Sequence, residues 1–287
     1  MTNSPLSDLV RYLNTRTDLL APDTQLKHPF VPSETGAFVH FANLRLESRY
    51  LPIVDTRSGQ LHGHAATLWA EGLSSKKALD PETVFVLPTD DAEFVYLDRL
   101  LRTLHALNYL TQAPRGNLLL KVHQRHVMTV PANHGLAFEE LLRPVGLLPS
   151  QITLEIDPNG VRENDRLIEA LKNYQSRAYG IALARFGRSP VDFGIVQAIA
   201  PDIVKLDPLL LASTRPLKRI VSKLHDLGVR VLIDGVNTGP LRRAAQANGI
   251  DLFQAPATFT DVGVPPLVAN DYRVVHASSG GFALRPD

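Results

Sequence analysis

The chain has 287 residues, 44% of them apolar, which is enough to bury the core of one barrel-sized domain or two smaller ones. With 30 basic and 29 acidic side chains the formal charge is +1, so despite local basic clusters there is no stripe to track nucleic acid and no polybasic membrane contact. Cysteine is absent, which excludes disulfides and thiolate metal sites. No apolar run reaches the roughly 18 residues of a membrane span, and Met1 to Leu20 is too polar for a signal peptide. A cytoplasmic protein without membrane contact is expected.

Residues 1–46 read as an N-terminal arm. Ser4 and Pro5 offer a helix start, and Leu6, Leu9, Val10 and Leu13 share one helical face that can dock on the main body or on a partner. Pro22, Pro29 and Pro32 then predict a linker. The main domain is expected over 47–260. It opens with a hairpin, Tyr50 to Asp55 and Leu61 to Trp69, turning at Arg57-Ser58-Gly59. Asp91 to Leu110 follows as a helix, with Phe94, Leu97, Leu101, Leu104 and Leu107 on one side. Asn117 to His123 is a near-continuous apolar run, as in a buried parallel strand.

Leu136 to Leu142 is helical, and Ile152 to Ile156 alternates as a strand that puts Glu155 on one face with Thr153. A helix over Asn164 to Arg177 leads to a strand from Gly180 to Phe186, with a turn at Gly187. Val191 to Ala200 is a short helix, and Asp202 to Asp207 a strand stopped by Pro208. Another helix starts at Pro216, carries the stripe Leu217, Ile220, Val221, Leu224 and Leu227, and stops at Gly228. Arg230 to Val236 is a strand, Thr238 caps a helix through Asn248, and Leu252 to Pro256 is the last strand. Residues 261–287 form a tail rich in turn formers. This alternation predicts an α/β fold, and pattern alone leaves a parallel barrel and a doubly wound sheet both open.

Specific motifs separate the two. Ala184-Arg185-Phe186-Gly187 and Lys205-Leu206-Asp207 stand at the spacing of Asp-Asp-Phe-Gly and Lys-Ile-Asp in the EAL family of cyclic-di-GMP phosphodiesterases, which the chain resembles from about Ser48 to Pro256. Tyr50-Leu51-Pro52-Ile53-Val54 resembles the family's Tyr-Gln-Pro-Ile-Val, Leu97-Asp98-Arg99 its Ile-Asp-Arg, and Leu154-Glu155-Ile156 its Leu-Glu-Ile. Val231 to Thr238 resembles Val-Val-Ala-Glu-Gly-Val-Glu-Thr, and Gln254 matches a family glutamine. The resemblance implies a TIM-like (β/α)8 barrel of EAL type with an N-terminal extension.

In such barrels the functional groups close the strands at their carboxyl ends. The family holds divalent metals there with Glu, Asn, Glu and Asp, supported by a second Asp, a Lys and a later Glu. Carried over, the metal positions are Ala65, His123, Glu155 and Ala184, and the supporting ones Arg185, Lys205 and Asn237. Glu155, Lys205 and Gln254 are retained. Magnesium and manganese need several oxygen ligands, which alanine cannot supply. An Arg185 side chain pointing inward about 6 Å from a dication would cost roughly 5 kcal/mol more, unless it swings away. No cofactor and no catalytic residue is therefore expected, and Glu155 and Lys205 read as an ion pair that satisfies two buried charges.

Other chemistries find less support. His62, His64 and His123 suit zinc only if they meet, and His62 and His64 lie two apart on one strand while His123 lies on another. Glu155, Asp157, Asp207 and Asp234 offer carboxylates for a glycosidase on barrel pattern alone. No nucleophile elbow, phosphate loop or His-Glu-x-x-His motif is present. The expectation is a noncatalytic EAL-like regulator that acts through a protein partner, as noncatalytic relatives in motility and surface attachment do. The arm and the Arg188-Ser189-Pro190 loop are its candidate surfaces. The alternative is a metal-independent cyclic-di-GMP sensor using Trp69, Arg185, Lys205 and Gln254, against which Leu51 and Trp69 stand where the family has glutamine and arginine. Monomer or dimer is left open.

Overall fold

The computed structural model describes residues 5–20, 29–34, 36–111, 116–143, 146–161, 164–187, 192–212 and 217–255. Its centre is a closed barrel of eight strands: β3 (Leu44–Asp55), β4 (Leu61–Gly72), β6 (Asn117–Lys121), β7 (Ile152–Ile156), β8 (Gly180–Phe186), β9 (Ile203–Leu206), β10 (Arg230–Ile233) and β11 (Leu252–Gln254). From β4 through β11 neighbouring strands are parallel. Only β3 runs against both its neighbours, pairing with β4 as a hairpin and with β11 to close the ring, where Gln254 faces Ile53.

Side chains alternate across the wall, which separates two cores. Ile53, Ala65, Leu119, Ala182, Ile203, Leu232 and Leu252 fill the barrel's interior. The opposite faces of the strands pack on surrounding helices: α3 (Asp91–Leu110), α4 (Gln124–Thr129), α5 (Leu136–Leu142), α6 (Asn164–Ser176), α7 (Phe193–Ile199), α8 (Leu217–Asp226) and α9 (Gly239–Ala247). Helix ends follow local chemistry. The Asp90 carboxylate accepts from Glu93 N at 2.8 Å to start α3, and Thr238 Oγ1 accepts from Leu241 N at 3.4 Å at α9, the cap expected for that residue. Helix α4, which apolar periodicity did not reveal, is short and capped by His123.

The arm differs from its expected form. Helix α1 (Pro5–Thr15) buries Val10 and Leu13 on the expected face, and α2 (Thr17–Leu20) follows it. The stretch expected as linker around Pro29 and Pro32 instead forms β1 (Phe30–Ser33), an edge strand that tolerates a proline, paired to β2 (Gly36–Phe41). Strand β2 pairs in turn with the start of β3, so the hairpin reaches back to Leu44 rather than beginning at Tyr50. On the other side β4 pairs with the short β5 (Ala78–Leu79).

Two asparagines hold this extension. Asn14 on α1 donates to Phe30 O at 2.8 Å and accepts from Phe30 N at 2.9 Å. Asn108 on α3 does the same to Ala37, at 2.8 and 2.7 Å. Each carboxamide imitates a strand partner, satisfying backbone groups that no neighbouring strand reaches. The Arg188-Ser189-Pro190 loop, Pro216, Pro256 and the 261–287 tail lie outside the described residues.

Candidate functional site at the barrel mouth

Above the apolar interior layer, the next inward positions open the carboxyl end of the barrel. They bring together Glu155 from β7, Lys205 from β9, Asp234 just past β10 and Gln254 from β11. Lys205 Nζ lies 3.1 Å from Glu155 Oε2, 3.3 Å from Asp234 Oδ2 and 3.1 Å from Gln254 Oε1. Glu155 and Lys205 are each 6% exposed, so the ammonium's three donors are spent inside the protein. Burial alone would lower the lysine's affinity for its proton, but Glu155 and then Asp234 outweigh it and hold Lys205 above its ordinary value.

Glu155, Lys205 and Gln254 meet at this point, and the Glu155–Lys205 ion pair forms. Asp234 is the member that the carry-over passed by in favour of Asn237. Asn237 stands exposed beyond β10. The signal was present, because Asp234 has the inward parity of Leu232.

The remaining positions do not converge. Ala65 and Ala184 are buried and offer no donor atom. His123 is turned away: its ring lies 4.8 Å from Phe94 and 5.6 Å from Phe85, and its Nδ1 accepts from Arg125 N at 3.1 Å. Burial lowers its pKa, keeping it a neutral cap. Arg185 has φ +53 at a register shift in β8. Its guanidinium points out to Asp157, with Nη1 3.5 Å from Oδ2 and the side chain 49% exposed. The Coulomb penalty of an inward arginine is thus relieved, and the metal argument rests on the ligands. Trp69, a candidate base-stacking platform, carries the Arg49 guanidinium 3.4 Å above its ring. Arg49 gave no sequence signal, since its pairing depends on the register that sets it beside Thr67 on β4.

The three histidines do not meet, and each of the four carboxylates has a partner. His62 lies at the opposite end of the barrel, 3.3 Å from Arg230 Nη1, whereas His64 points outward, 3.2 Å from the Tyr109 hydroxyl. Among the described residues no group of three or more His, Cys, Asp or Glu is placed to hold a metal. Glu155 and Asp234 are bound to Lys205, Asp157 accepts from Asn159 and pairs with Arg185, and Asp207 accepts from Leu209 N. A pair of dications does not fit this donor set: an ammonium stands where the oxygens converge, and two of the flanking positions are alanine.

The sequence pattern of the EAL domain family matches residues 38–254. No curated protein sequence matches the chain. Among solved structures it is similar to the EAL enzyme Bd1971 in its cGMP-bound form, at 16% identity and TM-score 0.64, over 73% of this chain and 61% of that one. A standalone versatile EAL protein from Vibrio cholerae O395 in its c-di-GMP-bound form is 17% identical with TM-score 0.63, over 75% and 91%. BlrP1 from Klebsiella pneumoniae, in a manganese/cy-diGMP complex, is 19% identical with TM-score 0.64, over 89% and 66%. At such identities the likeness shows the fold alone. The chain spans about three-fifths of the Bd1971 chain. No described helix is long and apolar enough to cross a membrane.

Proposed function

Because this chain belongs to the EAL domain family, we propose that it works in cyclic-di-GMP signalling as a noncatalytic member, regulating through contact with a protein partner rather than by hydrolysis. The observation that carries this reading is the position of Lys205 Nζ, within 3.3 Å of Glu155, Asp234 and Gln254. The family's fold is normally a phosphodiesterase that depends on dications. Here a fixed positive charge occupies the meeting point of the oxygens, and Ala65 and Ala184 contribute nothing beside it. The arrangement satisfies the buried charges of Glu155 and Lys205 against each other, and it leaves no open coordination position at which water is activated.

The sensor alternative needs free polar groups at the mouth, and those proposed for it are engaged. Lys205 and Gln254 are bound to each other, Arg185 to Asp157, and one face of Trp69 to Arg49. Titration calorimetry with cyclic-di-GMP, run with and without magnesium, tests both readings. The expected result is no heat and no linear dinucleotide in either condition. Heat independent of magnesium would make the protein a sensor, and magnesium-dependent heat with product would make it an enzyme.

A further inference from the structure

Above the mouth the β3–β4 hairpin leaves the ring. Strand β4 pairs with β6 only as far as Ala65, and β3 pairs with β11 only from Ile53, so residues 44–52 and 66–72 rise past the mouth as part of the antiparallel extension. Side chains alternate along it. Leu46, Tyr50, Leu68 and Ala70 are buried in the core shared with α3. The other face continues upward from the interior residues Ile53 and Ala65. It presents Leu51, Arg49, Glu47 and Arg45 on β3 and Thr67, Trp69 and Glu71 on β4, every one of them half-buried.

Two arginines of this wall lie over aromatic rings. Arg45 is 3.7 Å from the centroid of Phe38 on β2, and Arg49 is 3.4 Å from that of Trp69. The carboxylates gather around Arg45: Glu47 is bonded to it, and Glu71 stands opposite it in the strand register, with His40 opposite on the β2 side. Thr67 stands opposite Arg49 instead of an acid, and among the described residues Arg49 has neither hydrogen bond nor ion pair. Burial lowers its pKa, with Glu47 opposing, so this guanidinium is partly stripped of water without a counter-ion in contact. A guanidinium resting on an indole keeps its N–H groups in one plane, where they can fork a carboxylate. Tryptophan and arginine are also the side chains on which protein interfaces most often depend.

We propose that this wall is where the protein partner docks, and that the partner is an acidic segment that brings a carboxylate to Arg49 and an adjacent apolar side chain to Leu51 and Trp69. The inference rests on the regulatory reading above and names its partner's chemistry. An acid fits on the wall and not deeper, because Glu155 and Asp234 already outnumber Lys205 at the mouth. Trp69 is the one tryptophan in the chain, so its emission reports on this wall. A random peptide library displayed on phage and selected on the full chain is the test. Selected peptides are expected to carry Asp or Glu beside an apolar residue, to shift the Trp69 emission, and to bind about tenfold more weakly once that acid is replaced by its amide. Arg49→Gln should weaken binding to the same degree while keeping a thermal midpoint close to the parent's, and Glu47→Gln, which frees Arg45, should tighten it. No selected peptide, selected peptides without acids, or equal affinity for the parent and Arg49→Gln would overturn the proposal. The two readings fail separately. Hydrolysis of cyclic-di-GMP by a protein that still selects acidic peptides would sink the regulatory reading and keep the wall, whereas a protein that neither binds the dinucleotide nor selects acidic peptides would keep that reading and lose the wall.

Discussion

The barrel mouth and the α3 flank are both buried ionic clusters, built with opposite polarity. At the mouth one cation, Lys205, is surrounded by oxygens from Glu155, Asp234 and Gln254. On the flank one anion, Asp98, is held by Arg102 and the His123 backbone N–H, with the His126 ring beside it. The mouth also keeps a route to water, since the Asp234 side chain is 33% exposed, whereas Asp98 and Arg102 are sealed at 3%. Removing the central charge therefore has different consequences. At the mouth the stranded carboxylates can hydrate or take up a proton, but on the flank the stranded guanidinium can do neither.

The largest expected effect is on the flank. Asp98→Asn is nearly isosteric but leaves Arg102 without its counter-charge, and it should lower unfolding free energy by about 4–5 kcal/mol in urea titrations at neutral pH. Lys205→Met should cost about 3 kcal/mol, the lower end for a broken buried pair, because Asp234 can relax toward solvent. Unlike the parent, this variant should gain stability from added magnesium, since the oxygens around Nζ are freed for a cation. If Lys205→Met proves the more damaging of the two, or shows no magnesium response, the two clusters do not differ in their access to water in this way.

Acid sharpens the comparison at a smaller scale. Burial lowers His64 and His105 to about 4 and His126 to about 3, from the ordinary 6.5. A histidine with a depressed folded pKa contributes stability above the unfolded value and loses it as pH falls from 6.5 toward the folded value. Summed over these three histidines, stability should drop by about 2 kcal/mol between pH 7 and pH 6. Lys205 has the opposite sign of shift. Its contribution is complete below 10.5 and is lost only as pH rises through its raised folded value, so the acid loss reports the buried imidazoles. Chemical denaturation at the two pH values measures it, and an unchanged midpoint would show that these rings are already protonated at neutral pH or hydrated when charged.

The repeating elements were legible because their signals are local. The stripe of α3, the alternation of β7 and the turn at Gly59 each lie within a few residues of the atoms they organise, and all three stand at or within a residue or two of the places read for them. The N-terminal strands were not legible. Pro29 and Pro32 carry a break signal, and only the pairing of β1 with β2, together with the Asn14 and Asn108 carboxamides, turns that break into a sheet edge. At the mouth, the family resemblance already set Ala65, Glu155, Ala184 and Lys205 at positions of one site, and matched Gln254 to a family glutamine.

Composition and motif spacing by themselves determined the alternating fold and the family likeness, because each of these is a property of residue identity along the chain. Only the tertiary structure decided that Lys205 takes Asp234 as well as Glu155, that His123 turns into the Phe85 and Phe94 rings, and that Arg185 swings to Asp157. The physical reason is range. Side-chain partners at the mouth come from strands tens of residues apart, and distances of about 3 Å between them exist only once the ring is closed.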